Sequence, residues 1–246
     1  MTVEGSTVAE LSPHPETGVA SAPRIHTKRG SRRLLRRIPR YSARQLIEAM
    51  AALILLVLLL PLMAVIAIAV KLSSPGPVLF RQERLGFRRQ PFQIIKFRTM
   101  VVNNDDSIHR DYVRRQFLEE VPPDGGEPGL YKLAHDPRIT RVGAFLRRTS
   151  LDELPQLWNV VRGELSFVGP RPVLAWEAEL FPQEANRRFD VRPGITGLWQ
   201  VSGRSRVDFR TALTLDVRYV ETKSLRLDLW ILLKTIRVVF DRSSAR

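Results

Sequence analysis

A chain of 246 residues with 39 Lys and Arg against 25 Asp and Glu carries a formal charge of +14, which calls for an anionic partner. It has no cysteine, so disulfides, thiol nucleophiles and zinc-thiolate centres are excluded. The length allows one domain with attachments or two small domains.

Residues 1–23 are rich in Ser, Thr, Pro, Gly, Ala and Glu without periodicity and read as disordered. Residues 24–44 form a basic run, so 1–44 is a disordered, basic lead. From Met50 to Val70 come twenty-one residues with no charge, enough to cross a hydrocarbon core of about 20 apolar residues. The apolar run begins too late and is too long for a signal peptide. The helix is expected over 45–72, with Pro61 in its middle. Proline removes an amide donor and clashes with the carbonyl four residues back, that of Val57, so a kink or break is expected there. A spanning helix keeps its Lys/Arg excess on one side, yet both flanks are basic here: Arg32, Arg33, Arg36, Arg37 and Arg40 before, Lys71, Arg81, Arg84, Arg88 and Arg89 after. Either the helix spans with a poor orientation signal, or it enters the bilayer, turns at Pro61 and returns to the same face.

After a Ser73–Pro77 turn, Val78–Phe80 and Phe92–Phe97 read as strands of a hairpin around Gly86. Residues 103–118 read as a polar helix, 121–129 as a loop, and Ile139–Arg162 as helical with an interruption at Thr149–Pro155. Phe167–Pro172 reads as a turn, Trp176–Phe189 as one helix, Arg192–Arg204 as a Gly-rich loop and Val207–Val220 as a helix. Leu225–Phe240 is amphipathic, suited equally to a core or to a membrane interface. Residues 73–246 thus make an α/β domain, mostly helical with a small β-hairpin.

Four stretches carry chemical options. In Ser150-Leu151-Asp152-Glu153-Leu154-Pro155, Ser150 and Glu153 fit a capping box, or Asp152 is itself the cap. The same carboxylates at a helix start, near Arg147 and Arg148, are also suited to a nucleophile or a Mg²⁺ site, since magnesium takes one or two carboxylates plus substrate phosphates. In Gly169-Pro170-Arg171-Pro172, two prolines fix an arginine that matches phosphate oxygens, and Gly169 would let a ligand approach. The Arg192–Arg204 stretch, with Gly194, Gly197 and Gly203, has the makings of an anion-binding loop, its Trp199 either stacking on a base or lying in the core. Lys96 and Arg98 end the second strand and face either an active site or lipid phosphates. The four histidines have no metal-ligand spacing.

In this order, the apolar segment with its proline, GPVLFRQERLG, FQIIKFRTM, RRTSLDELPQLWNVVRGELSFVGPRP and RPGITGLWQVSGR resemble the bacterial sugar transferase family, the monotopic polyprenyl-phosphate phosphoglycosyl transferases, over about residues 40–242. The resemblance implies transfer of a sugar 1-phosphate from a UDP-sugar to a polyprenyl (undecaprenyl) phosphate with release of UMP, the first step of exopolysaccharide, capsule or glycan assembly. It implies a catalytic dyad at Asp152 and Glu153, with Asp152 forming a phosphosugar-enzyme intermediate and both acids at the Mg²⁺. Phosphate-holding roles fall on Lys96, Arg147 and Arg171, with Arg192 and Arg204 as further candidates. It also implies one re-entrant membrane helix turning at Pro61, and placement on the cytoplasmic face of the bacterial inner membrane against anionic lipid. Two positions depart from the family pattern: Leu60 stands where a serine precedes the proline, and Glu48 where an aspartate precedes the apolar run. The sequence does not encode the sugar and leaves a homodimer open. The other readings are a membrane-anchored adaptor or inactive relative, and a nucleic-acid binder, against which the apolar run argues.

Overall fold

The structure is a computed structural model and describes residues 42–102, 138–203 and 208–240. The 1–41 lead, the expected helix at 103–118, the loop at 121–129 and Arg204 lie outside the described residues.

Helix α1 runs from Ala43 to Ser73. Ser42 opens it with a capping box: the Gln45 amide donates to Ser42 Oγ, and the Ser42 amide donates to Gln45 Oε1. The helical backbone continues through Pro61, so the break expected there is not present and Pro61 sits inside one uninterrupted helix. At 1.5 Å per residue the helix is about 46 Å long, and it is long and apolar enough to cross a membrane. Its packing is one-sided. Ala49, Ala52, Leu56, Leu59, Met63, Ile66 and Val70 follow one another at alternating three- and four-residue steps and are buried or half-buried, the spacing of a helix seam. Ala52, Leu56 and Leu59 meet Leu157, Val160 and Leu165. Met63, Ile66 and Val70 meet Phe97 and Leu146. The other side exposes Met50, Ile54, Leu58, Val65 and Ile68, with Leu58 69% accessible. Pro61 lies on that outer side, where a bend would wrap the seam around the body.

Strands β1 (Leu79–Leu85) and β2 (Pro91–Phe97) pair antiparallel, Phe80 opposite Lys96 and Leu85 opposite Pro91. They form the expected hairpin, longer in its first strand, with Arg88 and Arg89 at positive φ in its turn. Helix α2 (Arg141–Thr149) follows, then a 3₁₀ helix (Leu151–Gln156) and α3 (Leu157–Val161). The interruption expected at Thr149–Pro155 is this 3₁₀ segment. Strands β3 (Ser166–Val168) and β4 (Gly194–Thr196) pair in parallel. The second pair corrects the expected Gly-rich loop at Arg192–Arg204, which contains β4 and helix α5 (Leu198–Ser202), after α4 (Ala175–Glu179). The single helix expected at Trp176–Phe189 is also corrected: Pro182, which cannot supply an amide within a helix, separates α4 from a 3₁₀ helix at Gln183–Asp190.

Helices α6 (Phe209–Thr222) and α7 (Leu225–Phe240) close the described chain. Val168, Leu198, Val201, Tyr219 and Ile231 bring β3, α5, α6 and α7 into one core cluster. Helix α7 packs on the core along one side, as one of the two readings expected, and leaves apolar residues exposed on the other. Asp228 and Ile231 face the core, while Leu225, Leu229, Trp230, Leu233 and Ile236 are exposed.

Both ends of α1 are tied to this body. Arg98 Nη2 donates to Ser74 O at 2.6 Å and to Ser74 Oγ at 3.0 Å, holding the helix C-terminus. At the other end Arg44 pairs with Asp228 of α7, and Tyr219 Oη donates to the same carboxylate at 2.7 Å and to Val168 O at 3.1 Å.

Candidate active site

The site is built where three short elements meet. Helix α2 enters through a tight contact: a β-carbon on Gly143 would lie 2.0 Å from Thr99 O, so only glycine lets α2 settle on the end of β2. The helix finishes at Thr149, with Arg147 and Arg148 in its last turn, cations that suit a helix C-terminus. Ser150 then adopts the left-handed conformation (φ 57°, ψ 17°) and joins α2 to the 3₁₀ helix. For a non-glycine residue this costs on the order of 1 kcal/mol. Its amide donates to Arg147 O and its carbonyl accepts from the Glu153 amide at 3.2 Å. Its side chain makes no capping hydrogen bond, so the expected Ser150–Glu153 capping box is not formed. The turn sets a basic helix end against an acidic helix start. Asp152 and Glu153 stand in the first 3₁₀ turn, Asp152 buried at 7% accessibility and Glu153 half-buried.

The 3₁₀ helix packs on β2, and Asn159 of α3 fixes that packing. Its Oδ1 accepts from the Ile95 amide at 3.2 Å, and its Nδ2 donates to Gln93 O at 2.7 Å and to Glu164 at 2.8 Å. Asn159 is completely buried, with its amide used on β2 just before Lys96. Sequence reasoning passed it over. The available signal was one polar residue in the apolar stretch Leu157–Val161.

Lys96 therefore points its ammonium among the site charges. Burial pushes its pKa down to about 8, Arg171 pushes the same way, Glu153 opposes, and Arg84 and Asp152 act more weakly. Arg171 Nη1 lies 3.6 Å from Glu153 Oε1. The structure thus brings together Asp152, Glu153, Lys96 and Arg171, and adds Arg84, which the sequence reading left unassigned. Arg147 is half-buried in the last turn of α2, five positions before Asp152. Arg192 lies with its backbone against Gly169 of the loop that carries Arg171, and its charge also acts weakly on Lys223. Arg98, the second cation of its motif, serves the end of α1.

Arg171 is held from below. Arg188 Nη2 donates to Arg171 O at 2.6 Å and to Asp216 Oδ2 at 2.6 Å. Arg188 and Asp216 are both nearly inaccessible. Burial raises the Asp216 pKa to about 6, against the pull of Arg188 and Arg171. This pair was also missed, although a lone Asp216 on the face shared by Ala212, Leu213 and Tyr219 marks a buried acid. Gly169 has a different reason from the one expected. A β-carbon there would lie 2.4 Å from Arg192 O and 2.8 Å from Gly194 N, so the close approach is made by the backbone around β4, which positions the loop carrying Arg171. Trp199 is buried at 7% accessibility.

Asp152 and Glu153 offer oxygen ligands suited to Mg²⁺. Among the described residues no cluster of three or more His, Cys, Asp or Glu side chains is placed to hold a metal. Two carboxylates nonetheless fit an ion that completes its shell with water and substrate phosphate.

A family model described as bacterial sugar transferase matches residues 39–242. The chain is 44% identical over 202 residues to the UDP-galactose-lipid carrier transferase of Erwinia amylovora, covering 80% of this chain and 40% of that protein. It is 43% identical over 199 residues to the exopolysaccharide production protein ExoY of Rhizobium meliloti, covering 80% and 85%. A UDP-glucose:undecaprenyl-phosphate glucose-1-phosphate transferase of Caulobacter vibrioides is 39% identical over 210 residues, covering 82% and 71%. The chain therefore spans well under half of the Erwinia relative and most of the Rhizobium one.

Proposed function

Since the chain belongs to the bacterial sugar transferase family and is an enzyme of it, we propose that it moves a sugar 1-phosphate from a UDP-sugar to undecaprenyl or another polyprenyl phosphate, releasing UMP and starting the assembly of an exopolysaccharide or related glycan. The observation that carries this reading is the gathering of Asp152, Glu153, Lys96 and Arg171 at one point of a body that turns apolar helix faces outward. An anionic lipid phosphate and an anionic sugar nucleotide need such a place.

In the first half-reaction a carboxylate oxygen of Asp152 attacks the β-phosphorus of the UDP-sugar. The bond from that phosphorus to the bridging oxygen breaks, and UMP leaves with the electron pair. In the second, an oxygen of the polyprenyl phosphate attacks the same phosphorus and the Asp152 carboxylate is released. Both steps bring anions together, and fixed cations in a partly desolvated site offset the repulsion. Arg171 and Lys96 supply that charge, with Arg147 at the neighbouring helix end. Glu153 keeps Arg171 oriented. A Mg²⁺ held by Asp152 and Glu153 would neutralise phosphate oxygens.

The membrane arrangement follows from α1. A seam that lies on the body from Ala49 to Val70, with both ends of α1 tied to that body, supports a monotopic course along one membrane face, and the turn this course needs would have to form by bending at Pro61, through which the helical backbone runs unbroken. The enzyme then sits on the cytoplasmic face of the inner membrane, with α7 in the interface. Membership of the family and the retained acids leave the adaptor reading without support.

The test is UMP release by detergent-solubilised protein from a panel of UDP-sugars with Mg²⁺, with and without undecaprenyl phosphate. Lipid-dependent release from one donor is expected. Absence of release with every donor, from folded protein, would contradict the reading.

A further inference from the structure

The Arg188–Asp216 pair leaves one atom unexplained. Asp216 Oδ2 is used by Arg188, but Asp216 Oδ1 is buried without a hydrogen-bond partner among the described residues. A buried acceptor left unmet costs about 1–3 kcal/mol, and such atoms in a folded protein call for a reason. Asp216 is only 2% accessible and lines a cavity with Arg84, Arg171, Trp199, Ala212 and Leu213. The walls include the side chains of Trp199 and Leu213, and the polar atoms converge at Asp216 and the arginines. Small-molecule pockets combine apolar walls with a few placed polar groups; here the polar side is heavy, with Arg84, Arg171 and Arg188 facing the carboxylates of Glu177 and Asp216.

The position of the cavity matters as much as its lining. Arg171 belongs to it and also reaches Glu153 of the dyad, 3.6 Å away. One guanidinium therefore separates the cavity from the acids, so a ligand with a head in the cavity and a diphosphate on Arg171 would present its second phosphate to Asp152.

We propose that this cavity is the nucleobase pocket of the donor, with Asp216 Oδ1 accepting a hydrogen bond from a ring N–H. The proposal rests on the UDP-sugar reading above. Uracil carries its N3–H between two carbonyl oxygens, and a lone carboxylate oxygen beside arginine donors is the complement of that edge. Cytosine presents an unprotonated N3 at the same place, which a carboxylate repels.

The experiment compares binding of UDP and of N3-methyl-UDP to the full-length protein in detergent with Mg²⁺, by calorimetry. The wild type is expected to bind the methylated nucleotide at least about tenfold more weakly, since a good polar contact to a base is worth on the order of 1 kcal/mol or more. The double substitution Arg188→Met with Asp216→Leu removes both buried charges together, and in this variant the two nucleotides should bind alike. Ala212→Leu, which fills the cavity and alters no charge, should weaken both. Equal binding of the two nucleotides by the wild type would overturn the pocket while leaving the donor reading intact. Failure of folded wild type to bind UDP at all would overturn the donor reading and the pocket with it.

Discussion

The outer side of α1 and the ground beneath Arg171 are opposites. Along α1, Leu58, Val65 and Ile68 face outward and are exposed, while small or half-buried residues such as Ala52 touch the body. Beneath Arg171, the charged groups Arg188 and Asp216 are inside and nearly inaccessible. A protein in water places these the other way round. Exposed apolar surface on this scale marks an interaction or membrane surface, and buried charge persists only where it is paired. The outer helix surface thus answers to the solvent it meets, and the inner pair to the arginine it holds. Substitutions should separate the two regions, because one is sensitive to lipid and the other to charge balance.

The largest effect belongs to the site itself. Asp152→Asn is expected to cut UMP release by roughly 10³-fold or more, the scale of removing a nucleophile, while leaving the thermal transition in place. Arg188→Ala comes next, on stability. It strands Asp216 and should cost about 3–5 kcal/mol, read as a lowered unfolding midpoint, whereas the paired Arg188→Met and Asp216→Leu substitutions should recover most of that loss. Unchanged stability in Arg188→Ala would mean the inner pair is not what holds the loop.

On α1 the contrast is between the two sides of one helix. Ala52→Leu overpacks the seam and should cost about 1–3 kcal/mol in detergent. Leu58→Ala on the outer side should change detergent stability by less than about 0.5 kcal/mol and instead weaken partition into vesicles. Equal effects from both would erase the distinction between seam and outer surface. The absence of native cysteine makes the topology accessible. Labels on Ala20→Cys and Pro75→Cys should react from the same membrane face, and reaction from opposite faces would contradict the re-entrant course.

The smallest effect is a pH dependence. Lys96 has its folded pKa lowered to about 8 from 10.5, so between those values the unfolded chain binds more protons and stability rises with pH. Below about pH 8 the cost of the buried charge is fully present. The wild type should therefore gain stability relative to Lys96→Met as pH rises from about 8 to about 10.5. A flat difference across that window would show that the ammonium is not buried among the site charges.

Helix α1, the hairpin and α7 were legible because their elements carry clear local patterns, and the adjacent acids Asp152 and Glu153 stood out only in company with the family motifs. What the sequence hid depends on contacts between distant segments. Pro182 divides one apparent helix, and nothing local weighs that proline against the periodicity around it. Gly169 read as room for a ligand and Gly194 as part of an anion-binding loop, but both sit where β3 and β4 run backbone to backbone. Asn159 and Arg188 act on segments more than ten residues away, so neither forms a motif of its own. The Ser150 capping box fits the local spacing, yet the left-handed turn that joins two helix ends takes precedence over it.

The most direct test of the account is to mix enzyme with an accepted UDP-sugar and Mg²⁺ in the absence of lipid phosphate, quench, digest, and weigh the peptide that contains Asp152. A mass increase equal to one sugar phosphate on Asp152, removed when undecaprenyl phosphate is added before the quench, is the predicted result. An unmodified peptide under conditions that support full turnover, or the same mass on a different residue, would contradict it.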